Sequence, residues 1–301
     1  MQRAWIGFWA LSVIWGSSFL FIRIGVEQLS TFQLVFIRTG IAALGLNIVA
    51  ALRGKRLPTD RTGVRDLLFL GVVNTVVPFA LITWGEKTIE SGLAAVLQAT
   101  AALFTMVVAH FVFVDERITR RTLAGLAFGF AGVLVLASRT TQGIVAATDA
   151  RLHLLGQLAI VAASFCYALG SAYSRKAIQR RLEPIVAAAG AMTVTAVVTG
   201  IAAYGAPLFG GAAPAALNQL SPRVLFAILM LGVLNTFVAY LIFYSIIEAL
   251  GAARASMVTY VIPAVGLTLG ALFLGESVDV RLLTGAAMIV GSIGICSATR
   301  A

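Results

Sequence analysis

The chain reads as an all-α integral membrane protein of ten transmembrane helices, built as two inverted five-helix repeats. Apolar residues make up 60% of the chain against 11% charged, and the mean hydropathy is +0.97. That leaves too little polar surface for a soluble globule of this size. The segment Gly71-Val72-Val73-Asn74-Thr75 returns about 160 residues later as Gly232-Val233-Leu234-Asn235-Thr236, which marks a duplication. Finally, the basic residues sort by loop in the way that a multi-pass topology requires.

Each apolar run approaches the roughly 20 residues needed to cross a bilayer. The first covers 4–24 and contains Trp15, Ser17, Ser18 and Phe19. It is similar to the apolar stretch of a signal peptide, yet it takes part in the repeat and lacks a convincing cleavage site, so it is expected to be retained. The second, 31–52, carries Arg38 about one third of the way in. The third, 66–85, holds the first copy of the signature with Pro78, Phe79 and Trp84. The fourth, 91–114, contains Gln98 and is separated from the fifth, 120–138, only by Asp115-Glu116-Arg117 and a short basic turn.

The second half repeats this order. The sixth run, 154–174, aligns with the first, so that Trp15 faces Tyr167, Phe19 faces Ser171 and Arg23 faces Arg175. The seventh is 183–205; the eighth, 222–246, holds the second signature with Tyr240 and Tyr244. The ninth, 252–274, contains Thr259, Tyr260 and Pro263, and the tenth is 281–299. Phe79 aligns with Tyr240, Glu116 with Glu276, Gly125 with Gly285 and Ala131-Gly132 with Gly291-Ser292, which places the repeats at 1–145 and 150–301. Strands are excluded, because the runs are about twice the length of a barrel strand and lack polar/apolar alternation.

The net charge of +10 forms no single patch, so a nucleic-acid partner is not expected. With the N-terminus inside, the inner positions hold Arg3, Arg53, Lys55, Arg56, Arg61, Arg65, Arg117, Arg120, Arg121, Arg175, Lys176, Arg180, Arg181, Arg254 and Arg300. The outer positions hold only Arg23, Lys87, Arg139, Arg151, Arg223 and Arg281. The positive-inside rule therefore places both termini in the cytoplasm. Five helices per half then force the second half to enter the membrane upside down, and the basic stretch 53–65 has as its counterpart 206–222, which contains no Lys or Arg. Inverted repeats around a site near the midplane are the architecture of alternating-access carriers.

Cys166 and Cys296 lie inside predicted helices and read as small apolar residues, with no disulfide framework, metal site or cofactor implied. Every acidic residue falls at a helix end or in a loop, so a carboxylate of the kind that carries protons mid-membrane is missing and facilitated transport is the simpler expectation. Arg38 is either a structural arginine bonding helix-terminal carbonyls or the binder of a substrate carboxylate or phosphate.

The expected substrate path consists of Trp15, Ser17, Phe19, Arg38, Phe79, Trp84, Gln98, Tyr167, Ser171, Tyr240, Tyr244 and Tyr260. Phe79 opposite Tyr240, and Trp15 opposite Tyr167, would wall a central cavity suited to a small amphipathic solute. Asn74 and Asn235 read as framework at a bend or as clasps on a neighbouring helix, and Pro78 and Pro263 as kinks or gating hinges. The glycines of the fifth helix (Gly125, Gly129, Gly132) and the small residues of the tenth (Gly285, Ala287, Gly291, Gly294) give close-packing faces, for a scaffold or a dimer. Monomer or weak homodimer stays open.

No zinc-protease helix, nucleophile elbow or phosphate-binding loop is present, so no enzyme is expected. Nor is there a ring of charge or a carbonyl-filter repeat, which counts against a channel.

Trp15-Gly16-Ser17-Ser18-Phe19 in the first helix, Phe36-Ile37-Arg38 in the second, and Glu116 and Gly275-Glu276 at the ends of the fourth and ninth resemble the drug/metabolite transporter superfamily, in particular its EamA-type members. Length and layout look like the YddG-type exporters of amino acids and related metabolites in bacterial inner membranes. That resemblance implies a basket in which the first, third, fourth, sixth, eighth and ninth helices line the cavity. It implies export of amino acids, aromatic ones included, by alternating access. A multidrug or nucleotide-sugar-type carrier of the same fold is the alternative. One departure is Ala101-Ala102-Leu103 in the fourth helix, where many relatives have a proline.

Overall fold

The computed structural model describes residues 2–114, 116–138, 147–175, 181–251, 255 and 257–297. Arg139, Lys176, Arg180, Arg254 and Arg300, placed on one side or the other by the loop-charge argument, lie outside the described residues. Within them the chain is helical, with no strand. The helices are α1 (Gln2–Gly25), α2 (Thr31–Leu52), α3 (Arg61–Gly85), α4 (Ser91–Val112), α5 (Arg120–Ala137), α6 (Ala147–Tyr173), α7 (Pro184–Gly205), α8 (Pro222–Leu250), α9 (Val258–Leu274) and α10 (Val280–Ser297). Among the described residues, eight are long and apolar enough to cross a membrane, and α9 and α10 are shorter apolar helices.

Their starts are written in capping residues. Ser30, Asp60, Thr119 and Ser221 each accept a backbone N–H three residues on, at the heads of α2, α3, α5 and α8. Asp279 does the same for Leu282 at 2.7 Å, ahead of α10. These bonds satisfy amides that a helix start leaves without partners. Gly275, at φ +66°, ends α9 in the left-handed region that glycine adopts without strain.

Three helices depart from regular α geometry. In α3 the stretch Val72–Val76 widens into a π-helical turn, so that the Val77 N–H reaches back to the Val72 carbonyl. In α8 the same happens over Met230–Val238, with the Ala239 N–H bonded to Leu234. Both wide turns coincide with the repeated Gly-x-x-Asn-Thr. The third departure falls where no proline stands. The fourth helix, which lacks proline, is interrupted at Ala99 between Ser91–Gln98 and Thr100–Val112, whereas α9 runs unbroken through Pro263. At the interruption the Thr100 hydroxyl donates to the Leu97 carbonyl at 2.6 Å, and Ala102 N–H bonds only three residues back, to Ala99. Local tightening and a hydroxyl replace the break that a proline would make.

The principal packing pairs are α2 with α7, α5 with α10, α4 with α9, α1 with α9, α4 with α6, α3 with α6, α1 with α8, α2 with α8 and α3 with α7. Replacing each helix by the one five places along maps this set onto itself. α5 and α10 meet through their glycines: a side chain on Gly132 would meet the Gly285 carbonyl at 2.9 Å, and one on Gly125 the Ser292 carbonyl at 3.2 Å. The glycine face of α5 is therefore used within the chain.

The two ends of the bundle differ. At one, here the capped end, a single apolar cluster joins Phe19, Leu34, Ile82, Leu93, Val224 and Ile262, from six helices. Polar ties reinforce it: Gln33 Nε2 donates to the Ala215 carbonyl at 2.6 Å and Ser221 N–H donates to Gln28 at 2.8 Å. The same cluster follows α5 and α10 to Leu126, Ile293 and Cys296; elsewhere at the opposite, basic end, the buried apolar residues fall into separate groups, one between α2 and α7, one among α1, α8 and α9, one between α3 and α7, and one between α4 and α6. Ion pairs link parts of that end, Lys55 to Glu183 at 2.5 Å, Arg181 to Asp66 at 3.1 Å and Arg175 to Glu116.

Candidate functional site

Arg38 is the polar centre of the bundle. It is buried at 7% exposure, and its Nε donates to Thr236 Oγ1 at 2.8 Å. Its guanidinium lies over the Phe79 ring, 4.1 Å from the centroid. One side chain thus joins α2 to the wide turn of α8 and to the segment of α3 beyond its own wide turn. Thr236 in turn donates to the Leu231 carbonyl at 2.7 Å, five residues back and within the π-helical stretch. Tyr167 on α6 and Tyr240 on α8 lie within electrostatic reach of the guanidinium. A cation needs this much company inside a membrane protein, where an unpaired charge is costly.

The wide turn of α3 carries no equivalent. Thr75, aligned with Thr236, is 1% exposed and its hydroxyl lacks a hydrogen-bond partner. The α7 residues packed beside this turn are small, with the Ala191 carbonyl and Val194 against Gly71, and Thr195 Oγ1 bonded to the Gly71 carbonyl at 3.3 Å. The site is therefore asymmetric in charge although its scaffold is paired.

The two signature asparagines reach across to the opposing first helices of each half. Asn235 Nδ2 donates to Ser17 Oγ at 3.0 Å and to the Ile14 carbonyl. Asn74 packs onto Gly170 of α6, where a side chain would come within 2.6 Å of the Asn74 Cβ. Ser17 is thereby held by its own helix and by Asn235. Pro78 follows the wide turn of α3 rather than making a separate break.

The aromatic residues of the expected path meet one another along α1 and α8. Trp15 meets Tyr240 edge-on at 6.5 Å and Phe243 at 5.1 Å, and Tyr240 continues to Tyr244 at 6.0 Å. These rings form a ladder from α1 down α8, and Phe79 is covered by Arg38. Phe19 belongs to the buried cluster of the capped end, and Tyr167 and Tyr260 pack against that cluster. Gln98 sits at the interruption of α4, with its Oε1 buried and unbonded. Ser171 is exposed one turn beyond Tyr167, and Trp84, at 38% exposure, stands on the outside of the bundle next to the capped end.

Two clefts open at the basic end. One, of about 360 Å³, is lined by Asp60, Thr62, Gly63, Asp66, Arg181 and Leu182. The other, of about 50 Å³, is lined by Arg53, Ile185, Leu241, Tyr244, Ser245 and Glu248, so the aromatic ladder ends in its wall.

Sequence position did not single out Glu86. It stands one residue beyond α3, yet it is 0% exposed, and neither of its carboxylate oxygens has a hydrogen-bond partner. Arg23 donates instead to its backbone carbonyl. Beside it, Glu276 accepts the N–H groups of Ser91 at 2.6 Å and Gly92 at 2.8 Å, closing α9 onto the head of α4. Gly270 leaves the room for that carboxylate, since a side chain there would meet Glu276 Cδ at 3.0 Å. Burial, then Glu276, hold the Glu86 carboxyl well above the usual carboxylate range, against the opposing pull of Arg23 and Arg38. No group of His, Cys, Asp and Glu among the described residues is placed to hold a metal ion.

Known proteins supply the remaining context. The model of a family described as EamA-like transporters matches twice, over residues 3–138 and 154–298. An uncharacterized transporter of Archaeoglobus fulgidus is 26% identical, over 98% of both chains. A protein of Salmonella typhimurium named a probable amino-acid metabolite efflux pump is 26% identical over 96% of this chain and 93% of its own length. The uncharacterized inner membrane transporter YedA of Escherichia coli is 29% identical over 90% of this chain and 82% of its own. A crystal structure superposes with a TM-score of 0.66 at 18% identity, covering 99% of this chain and 98% of that one, a likeness of fold.

Proposed function

Because the chain belongs to the EamA-like transporter family, and so is a multi-pass membrane transporter rather than an enzyme, we propose that it carries amino acids or closely related small metabolites out of the cell. The solute site lies around Arg38. The observation behind this reading is the engagement of Arg38: Nε is held by Thr236 and one face by Phe79, and the paired terminal nitrogens are the part of the group suited to a solute carboxylate. Tyr167, Tyr240 and Trp15 supply the apolar and aromatic surroundings, which suit aromatic and aliphatic side chains alike. The name of the Salmonella typhimurium relative agrees with this solute class.

All ten helices cross the bilayer in this reading, as two five-helix repeats of opposite orientation. The double match of the family and the self-mapping set of helix pairs support it. The basic end faces the cytoplasm, by the excess of Lys and Arg in its loops. Its apolar contacts are divided while the capped end forms one cluster, which is the pattern of a carrier closed to the outside. Alternating access then consists of closing the basic end and parting the capped one.

The test is uptake by proteoliposomes of a panel of labelled amino acids, with and without a pH gradient. Saturable uptake of a subset is expected; if no amino acid crosses, the solute assignment fails.

A further inference from the structure

The side chain of Glu86 poses a problem that solute carriage by Arg38 leaves unanswered. A carboxylate moved out of water without hydrogen bonds carries a penalty of several kcal/mol and commonly takes a proton instead. The charged groups around it do not supply the missing bonds. From α1, Arg23 spends its contact on the Glu86 carbonyl oxygen. From α2, Arg38 is turned to Thr236 and Phe79. From the turn after α9, Glu276 contributes a like charge and is itself satisfied by the amides of Ser91 and Gly92. On the α6 side the Gly156 carbonyl packs against the neighbouring Gly85, while His153 of α6 is paired with Glu90 at 3.5 Å. Lys87, on the same turn, is exposed.

Glu86 also sits where movement is required. Its turn joins α3 to α4, and the Glu276 contact next to it ties α9 to the head of α4. Opening the capped end must separate these elements and admit water to the carboxyl group.

We propose that Glu86 is a proton-binding site tied to the state of the capped end: it holds a proton while that end is closed and releases it to water when the end opens. The balance is one proton on a carboxyl oxygen in the closed form and one proton in the external water in the open form. Arg38 links this site to the solute. A solute carboxylate placed on Arg38 cancels the positive field that favours ionised Glu86, so solute binding and proton binding strengthen each other by the same factor. The link to the solute rests on the reading of Arg38 given above and the link to the capped end on alternating access; the buried proton site itself rests on neither.

Infrared titration of the purified protein reads the proton directly. The expected result is the carbonyl band of a protonated carboxylic acid at neutral pH, fading as pH rises, absent in Glu86→Gln and displaced in Glu86→Asp. A neutral-pH spectrum of the wild-type protein without that band overturns the proposal, and so does a band that survives in Glu86→Gln. The wild-type spectrum decides the matter even where a variant fails to fold. In proteoliposomes loaded with a mixture of labelled amino acids, exchange by the wild-type protein should slow as external pH rises, and Glu86→Gln should be flat. If no amino acid exchanges but the band behaves as expected, the solute reading fails and the proton site stands.

Discussion

Replacing Arg38 with Gln removes the only full charge in the Thr236–Phe79 node, and the change separates two roles that the sequence left open. A structural arginine predicts loss of folded protein. A solute anchor predicts folded, inserted protein whose apparent affinity for a carboxylate solute falls at least about tenfold, or roughly 1.4 kcal/mol. The expected outcome is the second, read by monodispersity in detergent together with transport at varied solute concentration. Glu86 makes a different prediction at the same scale. Its affinity for the proton is raised by folding, so the folded protein keeps a proton over a range where the unfolded chain has lost it. Its contribution to stability is full below the ordinary carboxylate range and is lost as pH rises through the raised value, with a slope of at most about 1.4 kcal/mol per pH unit for one proton. Thermal unfolding across pH should show that slope in the wild-type protein and a smaller one in Glu86→Gln. Arg38 was legible in the sequence because a charge inside an apolar run stands out. Glu86 was not, because its position one residue past a helix end is where carboxylates are ordinarily solvated, and only the packing of the turn beneath Glu276 and Arg23 removes it from water.

At the scale of elements, the repeated Gly-x-x-Asn-Thr marks where α3 and α8 widen, and its asparagines are the contacts that hold those wide turns to α6 and α1. The Gly170 position shows how close the fit is. Gly170→Ala should destabilise the protein by about 1–3 kcal/mol through overpacking, seen as a lower melting temperature. Adding Asn74→Ala should restore part of the loss, because the colliding atoms belong to Asn74. Additive losses in the double variant would show that the contact lies elsewhere. The sequence made the duplicated signature plain, and with it the bounds of α2, read as 31–52 and found as Thr31–Leu52. It did not show where a helix is interrupted. Pro263 lies within a continuous helix, and the interruption at Ala99 depends on the Thr100 hydroxyl taking a carbonyl, a choice that hydropathy does not register. Trp15 and Tyr240 touch because α1 packs on α8, a neighbour in space that the repeat register alone does not specify.

At the scale of the whole molecule, the proposed carrier is closed at its capped end around Glu86 and Glu276 and divided at its basic end, with Arg38 between them. The membrane character and the family were readable from composition and from motifs spread along the chain, since both are properties of the entire sequence. The state of the two ends was not, because it resides in which apolar groups coalesce across helices. The central claim is that a solute carboxylate is carried on Arg38, and its most direct test is counterflow. Proteoliposomes are preloaded with an unlabelled amino-acid mixture, diluted, and given a trace of the labelled mixture outside. Transient accumulation of label above equilibrium in the wild-type protein, with none in folded Arg38→Gln, is the result predicted. Equal counterflow by both proteins, or entry of label in the wild-type protein without any overshoot, would contradict it.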